Sequence, residues 1–472
     1  MSSSSKAGER ITSLLDDNSF VEIVARITAR STDFNQEPAK APSDGVITGY
    51  GVIDGSLVYV YSQDASVLGG SVGEAHAKKI VDLYSLAMKT GAPVIGLIDS
   101  TGLRVQEATD ALNAMGTLYA AQAEASGVIP QITAVFGNCG GGLALLPALT
   151  DFTFMTEDAK LFVNSPNALP KNSEDKNDTS SAKAKAASGS VDFVGSEEEV
   201  IAGIRELVSL LPSNNEDTPL ADCEDDLNRA SANVENGAAD PSVVAADVAD
   251  DSMFLELKKD FAPEMATGFI RLNGATVGVV ANRTASYDES GKESASYEDK
   301  LTADGLWKAA KFVRFCDAFG LPIVTFTNTT GFEASERAEK NVAAAAARLA
   351  YAFAEADVAK VNVVTGSAVG SAYNVMNSKA LGADVTIALP TAKIGMMDAD
   401  KAAQVIAAGK SAEEAAEVRK EYATLQDSID SAAAHGYIDE IVEPADLRKY
   451  LIGAFEILYT KEVYYDKKHG TV

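Results

Sequence analysis

Two short runs of small residues are the parts of this sequence best suited to chemistry, Gly140-Gly141-Gly142 and Gly370-Ser371-Ala372. Each follows a short apolar run and precedes a segment of helical periodicity, so each reads as a turn from a buried strand into a helix. The first N–H groups of a helix have no intrahelical acceptor. Without bulky side chains nearby, a ligand oxygen can approach two adjacent ones closely. With the helix dipole behind them, such donors stabilise negative charge that develops on an oxygen. Two turns of this kind suit a reaction that generates two oxyanions. The structural alternative is that small residues only let a helix pack tightly on a strand.

Other chemistries find little support. Gly137-Asn138-Cys139-Gly140 fails the dinucleotide pattern Gly-x-Gly-x-x-Gly because Cys139 holds the second glycine position. The chain has no Gly-x-x-x-x-Gly-Lys-Ser/Thr loop and so no recognised means of handling ATP. His76, His435 and His469 lack clustered partners, which argues against a protein-bound metal. Ala87-Met88-Lys89-Thr90 is similar to the Ala-Met-Lys-Met around biotinylated lysines. That lysine belongs on a hairpin tip, whereas Lys89 ends an amphipathic helix, so it is not expected to carry biotin.

The elements that must position the two turns follow one plan used twice. Gly91-Ala92-Pro93-Val94-Ile95-Gly96-Leu97-Ile98-Asp99-Ser100-Thr101-Gly102 shifts by 229 onto Gly320-Leu321-Pro322-Ile323-Val324-Thr325-Phe326-Thr327-Asn328-Thr329-Thr330-Gly331. The same shift carries Ile132–Gly142 onto Val361–Ser371. A third pair, Gly49–Gly55 and Gly268–Gly274, aligns at 219. Short apolar runs between turn signals suit strands buried on both faces. Helices are predicted at roughly 72–89, 108–126, 197–211, 305–318 and 336–356 from apolar spacing of three and four. Alternating strands and helices give an α/β architecture built by duplication, with halves 1–250 and 251–472. Residues 170–190 and 212–250 are polar or acidic and read as linker and surface loops.

Composition narrows the class. A length of 472 residues with 46% hydrophobic and 23% charged content reads as a globular enzyme of two domains. A net charge of −28 argues against nucleic-acid partners and against a basic patch for anionic bilayers. No apolar run approaches a membrane span, and the start is polar instead of signal-like. Cys139, Cys223 and Cys316 are scattered and odd in number, as expected in a reducing cytoplasm.

Taken together, Gly69-Gly70-Ser71-Val72-Gly73-Glu74-Ala75-His76-Ala77-Lys78-Lys79, Asp99–Glu107, Cys139–Gly142, Lys311–Phe319, Gly331-Phe332 and Gly370–Tyr373 resemble the biotin-dependent acyl-CoA carboxyltransferases. That family includes the β subunit of propionyl-CoA carboxylase and the α subunit of sodium-pumping methylmalonyl-CoA decarboxylase. The resemblance implies two tandem crotonase-type domains, the first binding acyl-CoA and the second binding biotin carried on a separate protein. It implies that the N–H groups of Gly141 and Gly142 hold a thioester oxygen, and those of Ser371 and Ala372 the ureido oxygen of biotin. Gly102, Gly140, Arg104, Lys78 and Lys79 become candidates for CoA, the three cations for its phosphates. Gly331, Phe332, Gly370, Tyr373 and Asn374 become candidates on the biotin side, Asn374 at a position that could line the acyl pocket. No metal is implied. Implied partners are a biotin carboxyl carrier protein, a biotin carboxylase or membrane decarboxylase subunit, and further copies of this chain as a dimer or hexamer. The sequence departs from many relatives at Ser371, at Thr101 and Leu103, and in a shorter, more polar region 164–192. A biotin-independent hydratase and a non-catalytic scaffold are the competing readings.

Overall fold

The computed structural model describes residues 5–30, 41–169, 178–288, 290–425, 428–461 and 463. They fall into two compact units, residues 1–219 and 220–472.

In the first unit, helix α1 (Lys6–Leu14) leads to the hairpin β1 (Val46–Ile53) and β2 (Ser56–Gln63). The turn Asp54-Gly55 has φ of 49° and 81°. Two positive values are what a two-residue hairpin turn of the right twist demands, and an Asp-Gly pair reaches them at low cost. Then come α2 (Glu74–Thr90), β3 (Val94–Ser100), α3 (Ala108–Ala125), β4 (Gln131–Gly140), β5 (Phe152–Thr156) and α4 (Glu197–Leu210). The eight-stranded sheet runs Val21–Ile23, β1, β2, β3, β4, β5, Phe193–Gly195, with Lys160–Phe162 pairing the far end of β4. From β2 onward the pairing is parallel. Such strands are covered on both faces, and Ile80, Leu83 and Tyr84 of α2 pack against Val94, Ile98 and Val135 in one core.

The second unit repeats this order. It contains the hairpin β6 (Met265–Leu272) and β7 (Ala275–Asn282), then α5 (Ala303–Ala318), β8 (Ile323–Thr329), α6 (Val342–Glu355), β9 (Lys360–Val369), α7 (Gly370–Val375), β10 (Val385–Ala388) and α8 (Leu447–Leu458). Its sheet runs Leu255–Leu257, β6, β7, β8, β9, β10, Glu440–Ile441, with Lys393–Gly395 on the end of β9. Even the register break recurs, between Ile98 and Ser100 in one ladder and between Thr327 and Thr329 in the other.

The duplication extends to side chains that the sequence comparison did not pair. Asp16 accepts from the N–H groups of Asp54 and Gly55 at 3.1 Å each. Asp250 accepts from those of Asn273 and Gly274 at 3.1 and 2.7 Å. Arg205 binds the Leu14 carbonyl and Asp16, and Arg448 binds the Val248 carbonyl and Asp250. Helix Pro241–Val248 is therefore the second unit's counterpart of α1. The division at residue 250 is corrected accordingly: the stretch 220–250 packs with the second unit. Val234, Val244 and Val248 sit in its core, and helices occupy Val234–Gly237 and Pro241–Val248 where loops were expected. Of the expected linker 170–190, residues 170–177 lie outside the described residues, and Ala182–Ala187 is a helix capped by Ser181. Among the described residues no helix is long and apolar enough to cross a membrane.

The two hairpin glycines give a paired test of this construction. A Cβ on Gly55 (φ +81°) meets open space, whereas one on Gly274 (φ +77°) lands 1.9 Å from the Ala221 carbonyl oxygen. Gly55→Ala is expected to cost about 1–2 kcal/mol for the left-handed backbone alone. Gly274→Ala is expected to cost at least about 2 kcal/mol more, because backbone must also move. Calorimetric unfolding of the two variants checks the order.

Candidate functional site

Both small-residue turns sit where a long central strand gives way to a helix. β4 ends at Gly140, Gly141 turns at φ +64°, and a 3-10 turn, Gly141–Leu145, leads into Leu146–Leu149. β9 ends at Val369, Gly370 turns at φ +62°, and α7 begins at once. A left-handed residue at this point costs an ordinary side chain about 1–2 kcal/mol, so glycine occupies both. The N–H groups of Gly142, Ser371 and Ala372 precede the first intrahelical donors, and no acceptor for them is found among the described residues.

The duplication also fixes the register of the two turns. Gly141 and Gly370 are equivalent, so Ser371 and Ala372 correspond to Gly142 and Leu143. The expected pairs, Gly141 with Gly142 and Ser371 with Ala372, are offset by one residue relative to each other. Applying the shift of 229 to the turns themselves would have exposed this.

Around the first turn the surroundings are close. Gly102, at φ +105°, leaves only 2.9 Å between a would-be Cβ and the Gly140 carbonyl oxygen, and a Cβ on Gly140 would meet Phe162 at 2.8 Å. The Tyr119 hydroxyl donates to the Gly142 carbonyl at 2.6 Å, which fixes that peptide's orientation. Loop 69–73 is laced to the loop after β3 by Thr101 N–H to Gly69 O, Val72 N–H to Gly102 O and Arg104 N–H to Val72 O, at 2.8–3.0 Å. Gly102, Gly140, Gly141 and Gly142 thus converge on one spot.

The cations do not. Arg104 is 1% exposed and ion-paired with Asp44 and Glu107, while its Nη2 donates to the Ser71 carbonyl at 2.6 Å. Lys79 is fully buried, donating to the carbonyls of Ser43 and Val46 and to the Ser43 hydroxyl. Its equivalent, Lys308, donates in the same way to the carbonyls of Lys258 and Phe261 at 2.8 and 2.9 Å. Burial lowers the pKa of both lysines to about 8. Neither Arg104 nor Lys79 offers its charge to a phosphate, so their assignment to CoA is corrected to a structural one. Lys78 is exposed and holds Asp82 at 2.6 Å one helical turn on.

On the second turn, Gly331-Phe332 forms a short strand parallel to Lys300-Leu301 and packs against α7. Tyr373 is buried, and burial raises its pKa to about 12, while Ser371 and Asn374 are exposed. Gly331, Phe332, Gly370, Tyr373 and Asn374 are therefore gathered at one end of the second sheet.

Beside each turn a side-chain oxygen from the neighbouring strand sits over a glycine, a device the sequence reading missed. Cβ atoms on Gly137 and Gly366 would fall 2.0 and 2.4 Å from Asp99 Oδ1 and Asn328 Oδ1. Asp99 is balanced by Arg10 at 3.1 Å, whose guanidinium lies 4.6 Å over the Phe136 ring. Asn328 instead accepts from Ser367 N–H at 2.9 Å and binds Asn282.

Two expectations follow from the buried network. Arg104→Met leaves Asp44 and Glu107 unpaired and should destabilise the first unit by about 3–5 kcal/mol. The KM for acyl-CoA of the folded protein should stay unchanged; a raised KM at unchanged stability would restore the phosphate role. His76, fully buried between the Asp44 carbonyl and Gln63, is held from 6.5 down to about 3, first by burial and then by the charge of Arg104. The unfolded chain therefore binds a proton that the folded chain refuses, and stability falls as pH drops from 6.5 towards 3. His76→Gln should lose about 2–3 kcal/mol less than the parent between pH 7 and about pH 4.5, by urea unfolding.

Comparison with known proteins agrees with this architecture. The carboxyl transferase domain family matches residues 4–472. The methylmalonyl-CoA decarboxylase subunit alpha of Veillonella parvula is 39% identical, covering 99% of this chain and 92% of the relative. The propionyl-CoA carboxylase beta chain of Roseobacter denitrificans is also 39% identical, covering 99% and 93%. The structure of transcarboxylase 12S, a hexamer with methylmalonyl-coenzyme A and methylmalonic acid bound, superposes with a TM-score of 0.90 at 35% identity over 98% of this chain and 92% of that one. The chain has the tandem crotonase-like fold of these proteins and belongs to the carboxyl transferase domain family, as a biotin-dependent acyl-CoA carboxyltransferase.

Proposed function

We propose that this chain moves a carboxyl group between N-carboxybiotin on a separate carrier protein and the α-carbon of a short acyl-CoA, propionyl-CoA or acetyl-CoA. The observation that carries the reading is the pair of equivalent strand–glycine–helix turns, each starting a helix with N–H groups that have no protein acceptor among the described residues. In the first unit the thioester oxygen is held by the N–H groups of Gly141 and Gly142. Gly142 belongs both to this pair and to the pair equivalent to Ser371 and Ala372. As the α-proton leaves, charge moves onto that oxygen, and fixed donors stabilise it without reorganisation. In the second unit the N–H groups of Ser371 and Ala372 hold the ureido oxygen. Biotin, when bound, supplies the carboxyl group and, once freed of it, the nitrogen base that takes the α-proton. No side-chain base is then needed, and what the chain contributes is positioning and electrostatics. Gly102 and Gly140 line the acyl side; Gly331, Phe332, Gly370, Tyr373 and Asn374 line the biotin side.

Net carboxylation of the acyl-CoA takes a biotin carboxylase partner to load the biotin and net decarboxylation a membrane decarboxylase subunit to unload it, while the transfer step itself needs only biotin. The near-equal similarity to relatives of both kinds supports keeping the two directions together. Assembly into a hexamer is supported by the hexameric relative, and a cytoplasmic setting by the free cysteines Cys139, Cys223 and Cys316.

The test is decarboxylation of malonyl-CoA and methylmalonyl-CoA by the full chain with free biotin. Gly142→Pro and Ser371→Pro each remove one N–H donor at a helix start, where proline is otherwise tolerated. Each should lower the biotin-dependent rate by about 10²–10³-fold. Intact transfer in folded variants overturns the donor assignment, whereas a parent chain that transfers nothing favours a scaffold.

A further inference from the structure

The helix that carries the second donor pair is short, and buried polar side chains tie its far end to the sheet. α7 ends at Val375, and the fully buried Asn377 follows in the left-handed region at φ +60°. Asn377 Nδ2 donates to Thr325 Oγ1 at 3.3 Å and lies 3.5 Å from the Val361 carbonyl oxygen. The Thr325 hydroxyl donates to Asn362 Oδ1 at 3.0 Å. The Thr327 hydroxyl lies 2.9 Å from the same oxygen and 3.4 Å from the Met376 carbonyl oxygen. Four buried side chains thereby link β8, β9 and the chain leaving α7.

The first unit solves the same problem differently. At the equivalent positions it has Gly96, Ile98, Thr133 and Ala148. Its helical stretch continues to Leu149 and is anchored by the fully buried Leu143 and Leu146, with the Thr150 and Thr153 hydroxyls on the Pro147 carbonyl and no side-chain amide involved among the described residues. The polar arrangement of the second unit carries a cost. Asn362 Nδ2 and Asn377 Oδ1 have no partner among the described residues, and buried unpaired amide atoms destabilise a fold. Apolar filling would serve stability better, so the cluster calls for a reason of position. α7 has six residues, less than two turns, and a tilt at its end is carried straight to the N–H groups at its start.

We propose that Asn377 is a positioning residue for carboxyl transfer, fixing through Thr325 and Asn362 the direction in which the Ser371 and Ala372 N–H groups point. The inference rests on the reading of those two groups as the donors to biotin. Misplacement by about 1 Å at a reacting centre can cost a factor of about 100, and supporting hydrogen bonds are what prevent it.

The experiment uses the full chain with free biotin and methylmalonyl-CoA. Asn377→Gly keeps the left-handed backbone and removes the amide; Thr325→Val keeps the shape and removes the hydroxyl. Each should lower kcat by about 10- to 100-fold with the KM for methylmalonyl-CoA unchanged and a melting temperature within a few degrees of the parent. Thr325→Ser should recover most of the rate lost in Thr325→Val. A lowered melting temperature with kcat preserved makes the cluster structural and overturns the inference, as does an unchanged rate at unchanged stability. Ser371→Pro separates the layers. Transfer that survives it removes the donor reading itself, whereas transfer lost there but kept in Asn377→Gly and Thr325→Val removes only the role of Asn377.

Discussion

A single backbone constraint organises each half of this protein: at the end of the central strand the chain must turn through a left-handed residue straight into a helix. Gly141 and Gly370 meet it with φ of 64° and 62°. The turn starts a helix whose first N–H groups have no acceptor among the described residues, and the glycine itself brings no side chain beside them. Neighbouring elements then take up positions around a fixed backbone. In the first unit, Gly102 comes within contact of the Gly140 carbonyl, Phe162 covers Gly140, and Tyr119 holds the Gly142 carbonyl. A larger residue at Gly102 or Gly140 would push these apart, so glycine here answers to packing as well as to φ.

The halves keep this constraint while differing in what supports it. Over Gly137 the first unit places a carboxylate, Asp99, balanced by the Arg10 guanidinium. Over Gly366 the second places the neutral amide of Asn328, whose Oδ1 accepts from the Ser367 N–H while Asn282 holds the Asn328 main chain. The first helix is secured by buried leucines and by threonine hydroxyls on the Pro147 carbonyl, whereas amides join the support of the second. An anchored ion pair beside one turn and a neutral amide beside the other give the two donor sites different fields on the same backbone. On the proposed reading, that difference matches two unlike oxygens, a thioester's and a urea's.

Much of the frame was legible because the strands and turns have kept their residue types. One shift of 229 found β3, β4 and both small-residue turns, and with them the α/β duplication. The limits have physical causes. Helix Pro241–Val248 shares no pattern with Lys6–Leu14, since what matches is where the helix ends and which arginine binds its last carbonyls. The division between halves was therefore set too late. Arg104 and Lys79 look like ligands for phosphate in a sequence, where a cation carries no sign of its partners. Lys79 is saturated by carbonyls of residues distant in the chain, Ser43 and Val46, and Arg104 by Asp44, Glu107 and Ser71.

The same pairs explain why residue type is a weak guide here and geometry a strong one. Lys79 and Lys308 each bind two carbonyls at or ahead of the start of their unit's hairpin, Asp16 and Asp250 each hold the two N–H groups of a hairpin turn, and Gln131 and Lys360 each reach into the last turns of the preceding helix. In every case one partner is main chain, so the other can change from glutamine to lysine while the bond stays in place. The candidate site obeys the same logic. Its donors are amides, and a serine at 371 serves where the first half has glycine at 142, because a side chain that points away leaves the N–H as it was. A site made of backbone is specified by the path of the chain. It must therefore be sought in turns with positive φ and unclaimed N–H groups, and the histidines and carboxylates that usually mark an active site are not required to be there.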